Sequence, residues 1–213
     1  VKILFLGYSH SPLIKFLENK GNKVIVSEDK INASFIIENQ IDFVISYGYR
    51  HLIKKDVLEI LPEKVINLHI SYLPYNKGAD PNFWSFIEDT PKGVTIHMVN
   101  EGLDTGDIIL QQSVELSETD TLRTTYGILQ NSIQKLFINH WDDINNQRIK
   151  PVKQRENGTL HKSADKEQYI STIKDKWLDM PIKELVDYVG ELQMSRHFLE
   201  KYLDEIKEIT SAR

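Results

Sequence analysis

The chain contains no cysteine. Disulfides, thiolate nucleophiles and cysteine-ligated zinc are therefore excluded. Positive charge is not in surplus either: 26 Lys and Arg stand against 31 Asp and Glu, a formal net charge of −5. General nucleic-acid binding draws most of its affinity from a basic surface, so nucleic acid is not an expected partner. No apolar run approaches the roughly 18 residues of a membrane span, so no membrane partner is expected. The opening VKILFLG is interrupted by Gly7 too early for a signal peptide, and a cytoplasmic protein is the default expectation. Signature motifs are missing too. Neither G-x-G-x-x-G nor G-x-x-x-x-G-K-[ST] occurs, which removes a dinucleotide fingerprint and a P-loop. G-x-S-x-G and H-E-x-x-H are absent as well. Redox, kinase and hydrolase readings lose ground together, and no metal is expected.

What is present suits one soluble domain with a small appendage: 213 residues, 40% of them hydrophobic. Short Val- and Ile-rich runs at residues 2–7, 23–26, 41–46 and 64–69 read as strands, separated by helix-length segments at 13–20 and 31–39. Their near-continuous apolarity fits strands covered on both faces, and the alternation fits βαβ units around a parallel sheet. Pro74, Gly78, Pro81 and Pro91 then punctuate a long loop, with a short helix expected over 82–88. Two further strands, 93–99 and 108–116, have the spacing of a long hairpin. Thr119 or Asp120 is placed to cap a long amphipathic helix ending near Asn145. Beyond Pro151 the chain is more charged. A hairpin over 154–169, with Asn157-Gly158 at its tip, and packing helices over 182–203 are expected, the first entered through Pro181. The expected architecture is an α/β, Rossmann-like parallel-core sheet flanked by helices. Residues 1–150 form the main domain and 151–213 a small C-terminal extension.

In open parallel sheets the ligand site lies beyond the carboxyl ends of the strands. Asn67-Leu68-His69 ends one such strand, and alternation puts Asn67 and His69 on one face. An isolated N-x-H most often caps its strand. This one is followed by Ile70-Ser71-Tyr72-Leu73-Pro74, by Gly78-Ala79-Asp80-Pro81-Asn82-Phe83-Trp84, by Gly93-Val94-Thr95-Ile96-His97 and by Gly102-Leu103-Asp104-Thr105-Gly106.

That ordered set resembles the folate-dependent N-formyltransferases, which include glycinamide ribonucleotide, methionyl-tRNA and nucleotide-sugar enzymes. The resemblance covers about the first two-thirds of the chain. It implies N10-formyltetrahydrofolate as formyl donor and a catalytic set falling on Asn67, His69 and Asp104. The chemistry agrees, because formyl transfer passes through a tetrahedral oxyanion that amide and imidazole N–H groups can stabilise. Asp104 can orient His69, favour its charged form and accept the amine proton through a water. By position, the resemblance puts the folate against Tyr49, Arg50, His51 and Leu52 and against Gly102, Leu103 and Gly106. His97, in mid-strand, reads as structural.

The acceptor separates the branches. The methionyl-tRNA branch usually adds a C-terminal barrel and a basic surface, which this acidic chain does not show. The glycinamide ribonucleotide branch opens with a glycine and serine phosphate loop, where this chain has Gly7-Tyr8-Ser9-His10-Ser11-Pro12. The stretch Asn76 to Trp84 looks most like the nucleotide-sugar branch, closest in type to enzymes of the pseudaminic-acid pathway. Acceptor contacts are expected at Tyr8, Ser9, His10, Lys77, Gly78, Ala79, Asp80 and Asn82. Trp84 reads as core. A purine-pathway formyltransferase, a formyl-folate hydrolase and a non-catalytic folate-binding module stay open as alternatives, and a homodimer through the C-terminal part is reasonable.

Overall fold

The computed structural model describes residues 1–155, 158–171 and 173–211. Six strands form the main sheet: β1 (Lys2–Gly7), β2 (Lys23–Ser27), β3 (Phe43–Tyr47), β4 (Val65–His69), then β6 (Gly93–Met98) and β7 (Ile108–Ser113). A two-residue strand, β5 (Lys77–Gly78), lies between β4 and β6 in the chain. The spatial order is β2-β1-β3-β4-β6-β7. The first four strands pair in parallel, and β6 and β7 are antiparallel to their neighbours. The sheet thus has the expected parallel core, and the long hairpin over residues 93–116 forms its antiparallel margin.

Strand alternation sorts the apolar residues onto two faces. Ile3, Phe5, Phe43, Ile45, Ile66 and Leu68 pack with α1 (Pro12–Asn19) and α5 (Leu122–Asn145). Leu4, Leu6, Val44 and Val65 pack with α2 (Ala33–Glu38) and α3 (Lys55–Ile60) on the other. Local chemistry fixes the helix starts. Ser11 caps α1 ahead of Pro12, and Asn32 Oδ1 accepts the Phe35 N–H at 2.9 Å to cap α2. The long α5 starts from Thr121 rather than Thr119 or Asp120. Thr121 and Thr124 exchange side-chain and backbone bonds in a reciprocal cap, while Asp120 accepts the Ser117 N–H instead.

The C-terminal segment departs from expectation in one respect. It holds helices α6 (Ser163–Ile170) and α7 (Ile182–Ser211), with a 3₁₀ turn over Lys174–Leu178 between them. Asn157 of the expected hairpin lies outside the described residues. Of the remainder, β8 (Leu160–His161) pairs in parallel with the distant β5, and 163–170 is helical. The Asp165 carboxylate explains the helix, since it accepts the Lys162 N–H at 2.7 Å at the start of the turn. Continuous α7 takes up the charged tail through Ser211, and Ala212 and Arg213 lie outside the described residues. A third apolar cluster joins Phe83, Trp84 and Phe86 of α4 (Pro81–Ile87) to Leu122, Ile170, Ile182, Leu185 and Val189. Among the described residues no helix is long and apolar enough to cross a membrane.

Candidate active site

The β4 residues Val65, Asn67 and His69 share one face, so the apolar layer under α2 and α3 gives way to an amide and an imidazole at the strand's carboxyl end. Antiparallel pairing sets His97 of β6 directly opposite Asn67. Asp104, at φ 52° in the loop between β6 and β7, swings in over both. Its Oδ1 accepts from Asn67 Nδ2 at 3.1 Å and lies 3.4 Å from His97 Nε2. Its Oδ2 accepts the Gly78 N–H at 2.8 Å and lies 3.8 Å from His69 Nδ1. Asn67, His69 and Asp104 therefore converge from two elements about 35 residues apart in the chain, a clustering that local sequence alone does not force.

Carbonyl partners fix the protons on both rings. His69 Nε2 donates to the Asn76 carbonyl at 3.2 Å, which leaves Nδ1 as a lone pair facing Asp104 when the ring is neutral. His97 Nδ1 donates to the Met98 carbonyl at 2.8 Å, and in that tautomer Nε2 accepts from the Asn67 amide at 3.2 Å. Burial pushes the His69 imidazole below the ordinary histidine range, and the Asp104 charge offsets this only in part. Asp104 thus favours the charged ring as expected, yet desolvation prevails and the resting ring is neutral. Burial alone would raise the Asp104 carboxyl. The adjacent His69 and His97 imidazoles and the Gly78 N–H outweigh it and hold the carboxyl well below the usual carboxylate range.

The cluster forms the floor of an open cleft of about 850 Å³. Of the expected folate contacts, Tyr49, Arg50, His51 and Leu52 line it from the β3 end, and Gly102 and Leu103 line it beside Asp104. Gly106 does not. A Cβ there would strike the Met98 carbonyl, so this glycine serves the close approach of the loop to β6. Of the expected acceptor contacts, Tyr8, Gly78, Ala79 and Asp80 line the cleft. Ser9 and His10 are exposed on the turn after β1, where the chain leaves the cleft to enter α1. Lys77 is buried away from the lining. Asn82 is turned into the protein, where its amide donates to the Leu122 carbonyl at 2.9 Å and accepts from Thr125 at 3.1 Å. Its polar groups hold α4 against the start of α5 rather than a ligand. Trp84 is core, as read, and stacks on His161 with ring centres 3.9 Å apart.

Four residues of the site were not legible as such. His97 has a place in it through the antiparallel register, which strand periodicity does not reveal. Gln154 Nε2 donates to the Asp104 and Gly106 carbonyls at 2.9 and 2.8 Å and so clamps the loop. His161 and Lys166 reach the cleft from the C-terminal segment. Lys166 Nζ lies 2.6 Å from Asp80 Oδ1 and 4.4 Å from the centre of the Trp177 ring. Among the described residues no group of three or more His, Asp or Glu side chains is arranged to hold a metal ion.

Residues 9–140 match the family described as Formyl transferase, which shows that the chain belongs to that family. Within it the chain is similar to the sugar N-formyltransferases. The formyltransferase PseJ of Anoxybacillus kamchatkensis, solved with UDP-4,6-dideoxy-4-formamido-L-AltNAc and tetrahydrofolate, is 48% identical with a TM-score of 0.83. That match covers 89% of this chain and 100% of PseJ. A 4-N formyltransferase from Francisella tularensis is 25% identical over 88% of this chain and 86% of its own, with a TM-score of 0.71. The methionyl-tRNA formyltransferase of Clostridium acetobutylicum is 32% identical over 149 residues, which are 67% of this chain and 48% of that protein. The chain spans about half the length of the curated relatives it matches.

Proposed function

We propose that this chain transfers the formyl group of N10-formyltetrahydrofolate to the amino group of a nucleotide-linked amino-deoxysugar. The observation that carries this reading is the 48% identity to PseJ across that protein's whole length. The product-like sugar in PseJ carries its formamide at C4, so a UDP-linked 4-amino-4,6-dideoxy sugar is the proposed acceptor. Arg50, at the mouth of the cleft, suits the carboxylates of a folate tail, and the exposed apolar Leu52 and Leu103 suit the pterin.

In this reading Asn67, His69 and Asp104 are the catalytic residues. The acceptor nitrogen must be unprotonated to attack the formyl carbon. His69, neutral because it is buried, takes the amine proton on Nδ1, and the ionised Asp104 beside that nitrogen stabilises the resulting imidazolium. Asn67, whose two amide hydrogens rest on Asp104 and His97, gives the Asp104-bound one to the oxyanion that develops as the new C–N bond forms. As the bond to folate N10 breaks, that nitrogen receives the proton from His69, leaving a formamide and tetrahydrofolate. His97 then keeps the Asn67 amide oriented through its Nε2.

Residues 1–150 are proposed as the formyl-transfer unit, with 151–213 completing the acceptor side through His161 and Lys166. A homodimer through 151–213 is the proposed assembly, checked by sedimentation. Reduced folates and nucleotide sugars are cytosolic pools, which supports the cytosol as the site of reaction.

The test is incubation of the chain with N10-formyltetrahydrofolate and a panel of UDP- and dTDP-amino sugars, followed by mass detection of the formamide. Turnover on methionyl-tRNA or glycinamide ribonucleotide alone overturns the acceptor assignment. Formate release with no amine present overturns transfer altogether.

A further inference from the structure

Behind His69 lies a set of polar groups to which the proposed chemistry assigns no step, although one of them, His161, also reaches the cleft. Asn76 is fully buried and sits at φ 54°, a left-handed conformation that a non-glycine residue holds only when its surroundings impose it. Every polar group it has is engaged. Its N–H donates to Thr159 Oγ1 at 2.8 Å, its Nδ2 donates to Glu88 Oε2 at 3.0 Å, and its Oδ1 accepts from Thr90 at 2.6 Å. The remaining group, its carbonyl, accepts from His69 Nε2.

Glu88 is fixed in turn. Its second oxygen, Oε1, lies 2.8 Å from His161 Nε2, a close polar contact without hydrogen-bond alignment, and the His161 ring is stacked flat on Trp84. The main chain of the same segment reinforces the arrangement. Lys77 N–H donates to the Thr159 carbonyl and Ala79 N–H to the His161 carbonyl, each at 2.9 Å. This places the Asn76 carbonyl and the Gly78 N–H, the backbone partners of His69 and Asp104, on one short loop. Gly78 is obligatory there: it sits at φ 82°, and a Cβ would collide with the His161 carbonyl.

We propose that Asn76, Glu88 and His161 are positioning residues that decide which nitrogen of His69 carries the proton. By holding the Asn76 carbonyl against Nε2, they keep the proton there and present Nδ1 to Asp104 as the free base. A carbonyl freed to drift would let the neutral ring take the opposite tautomer, with Nδ1–H directed at the Asp104 carboxylate and no lone pair on the reacting side. The role of Nδ1 rests on the functional reading above, whereas the tautomer itself does not.

The test is ring-nitrogen NMR of the full chain with labelled histidine, at a pH above the imidazole range, with the His69 signals identified by their loss in His69→Gln. The expected wild-type pattern is an Nε2–H tautomer. In Asn76→Gly, which keeps the carbonyl and tolerates the left-handed backbone, and in Glu88→Gln and His161→Gln, the pattern shifts towards a mixture of tautomers. With an amino-sugar substrate, kcat in Asn76→Gly and Glu88→Gln falls by about tenfold or more while KM for both substrates is unchanged, whereas His161→Gln, which also lines the cleft, lowers kcat and raises KM for the amino sugar. A wild-type Nδ1–H tautomer, or a variant pattern identical to wild type in folded protein, overturns the proposal. The wild-type spectrum decides its first half even where a variant fails to fold. A chain inactive on every amine would defeat the functional reading and leave the tautomer result standing.

Discussion

Two lips of one cleft are built on opposite terms. At the inner lip His69 is 8% exposed, and each of its neighbours is held by at least one hydrogen bond from the protein. At the outer lip Leu52 is 67% exposed and Arg50 lies at the rim without an ion pair among the described residues. Groups at the inner lip have already lost their water and are oriented before a substrate arrives, which makes each worth most in the transition state. Groups at the outer lip keep their water until binding and contribute mainly to affinity. The contrast predicts that damage at the inner lip appears in kcat and damage at the outer lip in KM.

The largest effect is expected at the centre. His69→Ala and Asp104→Ala each lower kcat by roughly 10² to 10⁴ with a melting transition that stays cooperative, read by steady-state kinetics and calorimetry. Equal losses in Leu52→Ala would erase the distinction between the lips. Next is pH. Because burial lowers His69, the acid limb of kcat/KM lies below the ordinary histidine value of about 6.5. Asp104 partly raises that imidazole, so Asp104→Asn moves the limb further towards acid in whatever activity survives. The same depression acts on folding. The unfolded chain binds the His69 proton more readily than the folded one, so stability is complete above the imidazole range and declines as pH falls through about 6.5. The Asp104 contribution persists to lower pH, declines once pH falls below the ordinary carboxylate value of about 3.9, and is gone below its own depressed value. Denaturant titrations across pH check both signs.

A smaller effect sharpens the comparison from the middle of the cleft. Lys166→Met leaves Asp80 without its 2.6 Å partner, and KM for the amino sugar is expected to rise by about tenfold with kcat less affected. The smallest is at the rim: Arg50→Ala raises KM for a polyglutamylated folate by about two- to fivefold, and added salt narrows the difference.

Much of this was written locally in the chain. Ile- and Val-rich strands, the Ser11-Pro12 helix start and the one-face spacing of Asn67 and His69 follow from short-range patterning, and the family motif drew in Asp104. Contacts that depend on long-range register did not show. His97 looked structural because nothing in Thr95-Ile96-His97 states that its strand runs antiparallel beside β4. Asn82 looked like a ligand because a polar residue in a loop motif gives no sign of the α5 carbonyl that will claim it. The 158–161 segment read as half of a hairpin, since a two-residue parallel pairing with residues 77–78 leaves no trace in composition.

That pairing has a temporal side. Ribosomal synthesis delivers residues 77–78 long before residues 160–161, and the six strands of the sheet with the α5 helix that covers one face are all in place before residue 160. A nascent chain can therefore possess a finished sheet while the loop that supplies Gly78 to Asp104 still lacks its partner strand. The loop beside Asp104 then reaches its paired form only once residues 160–161 have joined it.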